Sequence, residues 1–417
     1  MGATGALNTV RLTLQAVAHG GDTLGRHEGK VIFVPYGIPD EEVTVEIVEE
    51  KKRFARGRLV EVHTPSPHRV TPPCPYFGQC GGCHWQHVAY DAQLEYKRQI
   101  VKDVLQRIGK IPNPQVRPVI GMDEPWRYRN NMRFAADRRG RLGLRARASH
   151  RVVPIKDCLI LHPILRELYD ALDLEDPALQ QLTFRCGVRT GETMLVFEMR
   201  EDQPPELEVD TPVSCALSLS DGRTAILVGS SHIHERVGDL CLRISPNSFF
   251  QVNTSQAETL IKTAQDYLEP TKETVLLDAY CGVGTFGLAM ARHVAKVIGV
   301  EESSSAIKDA RVNARGLDQV SLFAGRVEHV LPEIEDPWDM MVLDPPRAGC
   351  QTEVLRAVIK RAPGRIAYVS CDPATLARDL RVLVGGGYEL RQVQPVDMFP
   401  QTAHVEAVAL LTHTVVR

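Results

Sequence analysis

The strand–helix alternation that begins at Thr274 constrains the fold of this chain more than any other feature. Five short apolar runs, separated by helical stretches, follow one another: Val275–Leu277, Lys296–Val300, Val320–Phe323, Met340–Leu343 and Ile366–Val369. This rhythm is typical of a parallel sheet with helices on both faces. Two further strand-like runs, Tyr388–Val396 and Val405–Thr412, have no helical pattern between them. Because neighbouring parallel strands need a crossover, one of the two must run antiparallel. The sequence therefore predicts an α/β sheet of seven strands.

The first sixty residues predict a separate β-unit. A length of 417 residues exceeds one ordinary core, so two or three domains are expected. From about Arg11 to Val62, short strand-like runs are broken at Gly20–Asp22 and at Gly37–Pro39, as in a small barrel of the kind that binds oligonucleotides. An accessory β-module without a ligand is the equal alternative. The basic residues that slightly favour RNA are Lys51, Lys52, Arg53, Arg56 and Arg58.

The middle of the chain also reads mainly as strands. A Pro-rich linker, Thr64–Pro75, precedes a predicted helix from Tyr90 to about Ile108, and strand patterns then run from Asn130 to Ile244. One helix, at about Pro163–Leu172, interrupts them. Hairpin turns are predicted at Arg139-Gly140, Thr190-Gly191 and Asp221-Gly222. The predicted domains are the barrel at residues 1–64, a central β-rich domain at 65–246 and the α/β domain at 247–417, with the helix at about 90–110 a candidate to pack on the last.

A glycine-rich turn predicts a cofactor site at the first strand of the α/β domain. Leu277–Thr285 contains Gly-x-Gly between a strand and a helix, where glycine allows close backbone approach and the helix offers free N–H groups. Glu301, at the end of the second strand, is placed to bind ribose hydroxyls. A third glycine and a Gly-Lys-Ser/Thr sequence are both missing, which argues against NAD and nucleoside triphosphates. The pattern indicates an adenosine-bearing cofactor; a tight turn without a ligand is the minor alternative.

Three residues at the carboxyl edge of the sheet predict the chemistry. Asp344 ends the fourth strand within an Asp-Pro-Pro-Arg sequence, and Cys371 ends the fifth. A lone cysteine is usually packing, but a thiol before a helix N-terminus has its thiolate favoured, so Cys371 is the candidate nucleophile. Glu406 opens the final antiparallel strand and therefore starts at the same edge. We expect it near Cys371, where it would serve as a general base.

A seven-stranded sheet with a closing antiparallel strand resembles the arrangement of class I methyltransferases, and in such an enzyme a nucleophilic cysteine would indicate carbon-5 of uracil as the target. That carbon is a poor nucleophile, and thiolate addition at carbon-6 turns the ring into an enolate that attacks an electrophilic methyl group. A base must then remove the carbon-5 proton before elimination frees the enzyme. The uridine must also be unstacked, which implies a single-stranded or flipped nucleotide.

A cluster of cysteines in the central segment predicts a metal centre. Cys74, Cys80 and Cys83 form a C-x₅-C-x₂-C run, and Cys158 is the best candidate for a fourth ligand. Four thiolates suit a 4Fe–4S cluster or a structural zinc. Zinc ribbons usually pair two C-x₂-C knuckles, and only one short pair occurs here, so the iron–sulfur interpretation is favoured. The cysteines assigned to packing are Cys186, Cys215, Cys241 and Cys350.

The charge distribution places RNA contact locally. The net charge is −3, so global electrostatics do not indicate a nucleic-acid partner. Between Arg127 and Arg151, however, there are nine arginines and one acid, Asp137, with Tyr128 and Phe134 interleaved. Arginines pair with phosphates in a bidentate way and stack on bases, so we expect RNA contact there; a solvated strand face is the alternative.

The composition predicts a cytoplasmic globular protein with no membrane partner. Hydrophobic residues make up 43% of the chain, but no apolar run approaches the roughly 18 residues that a membrane helix needs. Met1–Ala6 lacks a signal-peptide core and the Ser or Thr of a myristoylation motif. In a cytosol that keeps thiols reduced, ten cysteines are not expected to form a disulfide framework. We expect a monomer.

The chain resembles the RNA uracil-5-methyltransferase family, in its iron–sulfur branch with an N-terminal TRAM domain. The motifs that carry the resemblance, which spans essentially the whole chain, are Cys74/Cys80/Cys83/Cys158, Phe249–Asn253, Tyr280–Gly284, Asp344–Arg347, Ser370–Pro373 and His404–Glu406. It implies an S-adenosylmethionine-dependent enzyme with a class I, Rossmann-like catalytic domain, an OB-like barrel and a central iron–sulfur domain. The residues it assigns to the S-adenosylmethionine and substrate site are Gln251, Tyr280, Thr285, Glu301 and Asp344. Cys371 would be the nucleophile and Glu406 the proton acceptor.

The chain departs from the family pattern at two positions. Asp372 replaces the Asn common after the nucleophile, and Thr285 stands where Asn is frequent; both affect fine positioning. The iron–sulfur branch favours large-subunit (23S) ribosomal RNA as substrate, by analogy only, with tRNA as the alternative. Amino-group methylation is a second hypothesis, but its Asp-Pro-Pro motif needs a following aromatic residue, where this chain has Arg347. A third hypothesis is a non-catalytic RNA-binding or ribosome-assembly factor, which Cys371 and Glu406 argue against.

Overall fold

The computed structural model describes residues 8–414. Residues 1–7, which include the Met1–Ala6 segment considered above, and residues 415–417 lie outside the described part. None of the helices between residues 8 and 414 combines the length and the apolar character that a bilayer crossing requires.

The first unit is a closed five-stranded barrel. Its strands, paired in the order β1-β2-β3-β5-β4, are β1 (Thr9–Val17), β2 (Thr23–His27), β3 (Lys30–Val34), β4 (Glu42–Glu50) and β5 (Phe54–Thr64). Alternate side chains such as Leu14, Val43 and Val45 fill the interior, as the period of two requires. The OB-like barrel predicted from the sequence is confirmed. Strand β2 has no apolar run, because one of its interior positions is occupied by a polar residue, Thr23. The hydroxyl of Thr23 donates to the carbonyl of Gly37 at 2.7 Å.

The central part contains a second sheet, of seven strands in the order β12-β11-β10-β9-β6-β7-β8, and a separate β13–β14 hairpin. Its elements are α1 (Tyr90–Arg107), β6 (Asn131–Ala136), β7 (Leu142–Arg145), β8 (Val152–Pro154), α2 (Pro163–Ala171), β9 (Leu179–Cys186), β10 (Thr193–Met199), β11 (Ser214–Ser218), β12 (Thr224–Val228), β13 (Ile233–Val237) and β14 (Leu240–Ile244). Gly140, Gly191 and Gly222 all have positive φ, as the three predicted hairpin turns require.

The last part is the predicted α/β sheet, in the order β17-β16-β15-β18-β19-β21-β20, with only β21 antiparallel to its neighbours. Its elements are α3 (Thr254–Leu268), β15 (Val275–Ala279), α4 (Thr285–Met290), β16 (Lys296–Glu301), α5 (Ser304–Asn313), β17 (Val320–Ala324), α6 (Val327–Val330), β18 (Met340–Leu343), α7 (Thr352–Arg361), β19 (Arg365–Ser370), α8 (Pro373–Gly385), β20 (Tyr388–Val396) and β21 (Glu406–His413), with short 3₁₀ turns at Ala291–His293 and Leu331–Glu333. The central strands read as unbroken apolar runs because both of their faces are buried.

Two features of this architecture position the site. The strand order reverses between β15 and β18, and ligands of open α/β sheets bind outside the carboxyl ends of the strands at such a point. In addition, α1 packs against α8 and β20, with Ile100, Val104 and Leu105 buried in the core of the catalytic sheet. The segment that carries three of the cysteines is thereby held against the same edge of the sheet.

Candidate active site

The register of the last two strand pairs brings the proposed nucleophile and base together. In the antiparallel β19–β21 pair, Ser370 lies opposite Ala407. One residue further towards the carboxyl edge on each strand are Cys371 and Glu406, and the charge of Glu406 affects the pKa of the Cys371 thiol. The two side chains that the sequence placed at one edge therefore meet there.

The surroundings of Cys371 disfavour its thiolate. Burial raises its pKa to about 11; Glu406 and Asp344 also raise it, whereas Arg347 lowers it by charge and by a hydrogen bond. The expectation that the helix N-terminus favours the thiolate is wrong here. The first N–H groups of α8, from Ala374 and Thr375, both donate to Asp372 Oδ1 at 2.9 Å, so the helix is already capped.

Glu406, beside Cys371, is suited to accept a proton near neutral pH. Glu406 is 3% exposed, and burial raises its pKa to about 7, with Arg347 opposing the rise. The pKa of Asp344 is well above its usual range because of burial and, next, the charge of Glu406. A carboxyl group with a pKa near the working pH is the kind that enzymes use as a general base.

Arg347 is the functional candidate that the sequence reasoning missed. The guanidinium lowers the pKa of both Cys371 and Glu406, although the residue itself is exposed. It was noticed as the last residue of the Asp344–Arg347 motif and as the residue that stands where amino-group methyltransferases need an aromatic, but it was given no role. Its place in a motif at the edge of the sheet was the signal available in the sequence.

The glycine-rich turn has the geometry expected of a cofactor loop. Gly282 and Gly284 have positive φ, and so does Tyr280, at +65°. The carboxylate of Glu301 accepts hydrogen bonds from Gly282 N at 2.9 Å and from Ser303 N at 2.6 Å. These bonds hold it at the end of β16, and its other lone pairs are left for ribose hydroxyls. Thr285 is the first residue of α4.

A buried carboxyl group lies beneath this turn. Asp278 accepts a hydrogen bond from Gly287 N at 2.6 Å through Oδ2, and Oδ1 has no hydrogen-bond partner among the described residues. Burial raises the pKa of Asp278 to about 7. An unpartnered buried acceptor beside a glycine-rich turn fits a site that a polar cofactor completes.

The segment at Phe249–Asn253 connects the central sheet to the catalytic sheet. Gln251 is buried, and its carbonyl accepts from Asn130 Nδ2 at 3.0 Å. Asn253 caps α3 by accepting from Gln256 N at 3.4 Å. Phe249, in contrast, is 66% exposed, although it precedes a buried segment. An exposed aromatic ring at this position is available for stacking on a base.

The four predicted cluster ligands line one cavity of about 260 Å³. Burial raises the pKa of Cys83 to about 12 and that of Cys158 to about 11, with smaller contributions from the neighbouring cysteines. Gly82 N donates to the sulfur of Cys80 at 3.3 Å. Within residues 8–414, however, no three His, Cys, Asp or Glu side chains form a group that could bind a metal ion as they stand. The prediction that four other cysteines pack in cores holds for Cys186, Cys215 and Cys350, whereas Cys241 is exposed.

The arginine-rich segment carries its charge at the surface. Its exposed arginines are Arg127, Arg133, Arg138, Arg139, Arg141, Arg145 and Arg151. Tyr128 and Phe134, which are interleaved with these arginines, are both buried in the core of the central sheet because alternate residues face inward. RNA contact by this segment stays a prediction for its arginines.

The basic residues of the barrel are largely paired with acids. Lys51 and Arg56 contact Glu49, and Arg58 contacts Glu46. Exposed pairs of this kind contribute little to stability. They do reduce the positive charge that the barrel presents to RNA.

Comparisons with known proteins agree with this architecture. A family model described as tRNA (Uracil-5-)-methyltransferase matches residues 224–324 and 335–414, and a TRAM domain model matches residues 8–60. An uncharacterized RNA methyltransferase of Halalkalibacterium halodurans is 38% identical, over 97% of each chain. Another, from Thermosynechococcus vestitus, is 36% identical over 97% of this chain and 98% of that protein. The crystal structure of Pyrococcus abyssi tRNA (uracil-54, C5)-methyltransferase with S-adenosyl-L-homocysteine matches with a TM-score of 0.77 at 29% identity, over 97% of this chain and 100% of that chain.

Proposed function

Because the chain belongs to the RNA uracil-5-methyltransferase family and carries its TRAM domain, we propose that it methylates one uridine of RNA through a covalent adduct on Cys371. It is an S-adenosylmethionine-dependent RNA methyltransferase that acts at carbon-5 of uracil. We propose four further points: the covalent adduct, the roles of single residues, the identity of the RNA and the metal centre.

The observation that carries the adduct is the meeting of Cys371, Glu406 and Arg347 at one edge of the sheet. The Cys371 thiol first loses its proton to water; its thiolate sulfur then adds to carbon-6 of uracil, and the electrons of the double bond move into an enolate. Carbon-5 then takes the methyl group, and Glu406 removes the remaining carbon-5 proton. The electrons of that C–H bond restore the double bond as the C–S bond breaks, which frees the thiolate.

Arg347 has a specific part in this scheme. Burial and the two carboxyl groups hold the Cys371 proton in place, so the thiolate needs a compensating positive charge when it forms. The guanidinium is the group that lowers the pKa of Cys371, and it also favours the charged form of Glu406. We assign Arg347 to stabilising both anions.

The cofactor would be held at the glycine-rich turn. S-adenosylmethionine, when bound, supplies an electrophilic methyl group. The residues proposed to hold it and the uracil are Gln251, Tyr280, Thr285, Glu301 and Asp344. The half-buried carboxylate of Glu301 and the unpartnered Asp278 oxygen support this placement.

We also propose that Cys74, Cys80, Cys83 and Cys158 hold a 4Fe–4S cluster. The support is their shared cavity and the N–H group that Gly82 directs at the sulfur of Cys80. A cluster of four irons is wider than one ion, so its ligands stand further apart than those of a single-metal site. Cysteine binds iron as its thiolate, and four thiols around one space are the ligand set that a 4Fe–4S cluster uses.

The RNA is proposed to be large-subunit ribosomal RNA, read by a monomer in the cytoplasm. The iron–sulfur resemblance favours this target, whereas the Pyrococcus abyssi protein of similar structure acts on tRNA. Transfer RNA is therefore the second candidate. Amino-group methylation and a non-catalytic role do not fit the family to which the chain belongs.

The decisive test uses protein purified without oxygen, S-adenosylmethionine and RNA that contains 5-fluorouridine. Fluorine replaces the proton that the base removes, so the enzyme should stop as a denaturation-resistant adduct. Mass spectrometry should map that adduct to Cys371, and sequencing of the bound RNA should identify the uridine. Absence of an adduct from total cellular RNA, with S-adenosylmethionine bound, would contradict the covalent mechanism.

A further inference from the structure

The turn at residues 397–405 leads directly into Glu406, and the segment that carries three of the cluster cysteines packs against it. We propose that this cysteine segment, residues 74–88, positions the base: His84 holds the 397–405 turn so that Glu406 reaches the carbon-5 proton. The inference rests on the proposed function, because Glu406 must be the base for His84 to act in this way. His84 is a positioning residue, since it acts through the turn and not on the substrate.

Backbone hydrogen bonds join the two segments next to a proposed cluster ligand. The carbonyl of Gln401 accepts from His84 N at 3.0 Å and from Trp85 N at 3.1 Å. His84 directly follows Cys83 in the chain. If Cys83 moves, its neighbour His84 therefore moves with it and shifts the 397–405 turn.

A buried amide side chain reinforces this junction from α1. Gln93 Nε2 donates to Gln401 Oε1 at 3.0 Å, and Gln401 N donates back to Gln93 Oε1 at 3.1 Å. The same Nε2 donates to the carbonyls of Trp85 and Val88 at 3.0 and 2.9 Å. One side chain thus ties the cysteine segment and the 397–405 turn to each other.

Gln401 adopts a backbone conformation that only its surroundings maintain. Its φ is +68°, in the left-handed region that residues with a side chain rarely adopt, and the residue is buried. Such a conformation persists where neighbouring contacts over-determine it. The bonds from His84, Trp85 and Gln93 are those contacts.

The ring of His84 continues the connection towards Glu406. Its Nδ1 lies 3.5 Å from Ala403 N, and its ring packs edge-on against His404 with 5.7 Å between centroids. Phe399 packs against His404 as well, at 5.8 Å. His404 is therefore held between two rings, two residues before Glu406.

The other end of the 397–405 turn has its own anchors. Lys97 Nζ contacts Asp397 Oδ1 at 2.5 Å and donates to the carbonyl of Phe399 at 3.1 Å. Tyr128 donates its hydroxyl hydrogen to the carbonyl of Pro400 at 3.0 Å. Because these contacts are independent of His84, removal of its ring should shift residues 401–406 without releasing the whole turn.

A shift of this kind should slow one step selectively. Addition of the Cys371 sulfur to carbon-6 and methyl transfer to carbon-5 come before the step that needs Glu406. Removal of the carbon-5 proton, followed by cleavage of the C–S bond, comes last. A misplaced Glu406 should therefore leave the enzyme bound to methylated RNA as a covalent adduct.

The test compares His84→Ala with Gln79→Ala, an exposed position in the same cysteine segment. Full-length proteins are purified without oxygen, and their iron content is measured. Each is mixed with S-adenosylmethionine and total RNA from cells that lack this gene. Methyl transfer in the first turnover, steady-state turnover and the fraction of protein in denaturation-resistant adduct are then recorded.

We expect turnover of His84→Ala to fall roughly tenfold, a part of the 10²–10⁴-fold that a general base contributes, while first-turnover methyl transfer stays within about twofold. The adduct fraction should rise by about fivefold or more, whereas Gln79→Ala should match the unchanged protein. Gln401→Gly removes the side-chain bonds and suits the positive φ, and it should give the same adduct signature if His84→Ala does not fold.

Two results would overturn the inference. One is an equal loss of methyl transfer and turnover in His84→Ala or Gln401→Gly with no gain of adduct, and the other is unchanged turnover. Glu406→Gln serves as the reference, since it should trap the methylated adduct directly. If Glu406→Gln traps adduct and the other two variants do not, the positioning role is wrong and the proposed function stands. If Glu406→Gln traps none, the proposed function itself fails.

Discussion

Two regions of this protein bury thiols, and their surroundings differ. At the edge of the catalytic sheet, one thiol, Cys371, lies among Glu406, Asp344 and Arg347. In the central cavity, four thiols lie together and the smaller effects on the pKa of Cys83 and Cys158 come partly from other cysteines. Burial is the largest cause of the raised pKa in both regions. Ionisable groups surround Cys371, whereas the cavity gathers the thiols that we propose as ligands of a metal cluster.

The comparison shows that burial alone does not identify a functional thiol. Cys186 and Cys350 are buried too, and burial raises the pKa of Cys350 to about 12. Cys350 even has a cation and a carboxylate beside it, Arg378 and Asp379, so what distinguishes Cys371 is its place at the carboxyl edge of the sheet, where it is only partly buried and lies beside Glu406. What distinguishes the cavity cysteines is their number around one space.

The largest predicted effect separates the two regions by function. Cys371→Ala should lower methyl transfer by about 10⁴-fold or more, because no other group can form the bond to carbon-6. Iron content and S-adenosylmethionine binding should stay unchanged, as measured by metal analysis and calorimetry. Cys241→Ala is the matched control, since that cysteine is exposed and lies in neither region. Methylation that survives in Cys371→Ala would remove the distinction between the two regions.

The second prediction concerns the base. Glu406→Gln should lower turnover by about 10²–10⁴-fold and leave methylated RNA attached to the protein, because carbon-5 keeps its proton. A gel shift that resists denaturation, with radiolabelled methyl groups, measures this. Equal loss of labelling and of turnover would mean that Glu406 acts before methyl transfer and is not the base.

The third prediction addresses the junction between the regions. Lys97 and Asp397 form a fully buried ion pair, and Tyr90 donates to Asp397 at 2.9 Å. Lys97→Met would leave a buried charge without its partner, which costs about 3–5 kcal/mol of unfolding free energy. Denaturant unfolding followed by fluorescence measures the loss. Lys102→Met, on the exposed face of the same helix, should change stability by no more than about 0.5 kcal/mol.

The sequence predicted the framework of both regions because the signals there are periodic. The parallel sheet, the barrel and the helix at Tyr90 all follow from apolar spacing, and the antiparallel last strand places Glu406 at the edge beside Cys371. Strand β2 gives no apolar periodic signal because Thr23, a polar residue, fills one of its interior positions. The reason that a polar side chain is tolerated there, its hydrogen bond to the carbonyl of Gly37, is visible only in the structure.

The sequence failed where function depends on which partner a side chain meets. The thiolate of Cys371 was expected to be favoured, but Asp372 takes the helix N–H groups that would have favoured it. The sequence did not show that Tyr128 and Phe134, interleaved with the arginines expected to contact RNA, both lie in the core. Arg347 was overlooked because an exposed arginine gives no sign of the buried groups that it contacts. These outcomes depend on side-chain direction, which spacing does not determine.

The smallest predicted effect is on the alkylation rate of Cys371, and it tests directly whether the charges beside this thiol or its burial set its reactivity. Because the pKa of Cys371 is about 11, its alkylation by iodoacetamide should rise about tenfold per pH unit between pH 7 and pH 9, as the thiolate fraction does. Glu406 raises that pKa, so Glu406→Gln should speed alkylation at pH 8 by roughly three- to tenfold. Arg347 lowers it, so Arg347→Gln should slow alkylation by a similar factor.

The other thiols of the same molecule provide the control for this measurement. Cys186 is buried in the core of the central sheet, and Glu406 and Arg347 are not among the causes of its raised pKa, so neither substitution should alter its alkylation in the same digest. Mass spectrometry of the labelled peptides follows both residues at once. If Cys371 and Cys186 respond alike, the substitutions act by loosening the fold. If only Cys371 responds, with opposite signs for the two variants, its reactivity is set by the charges beside it and not by burial alone.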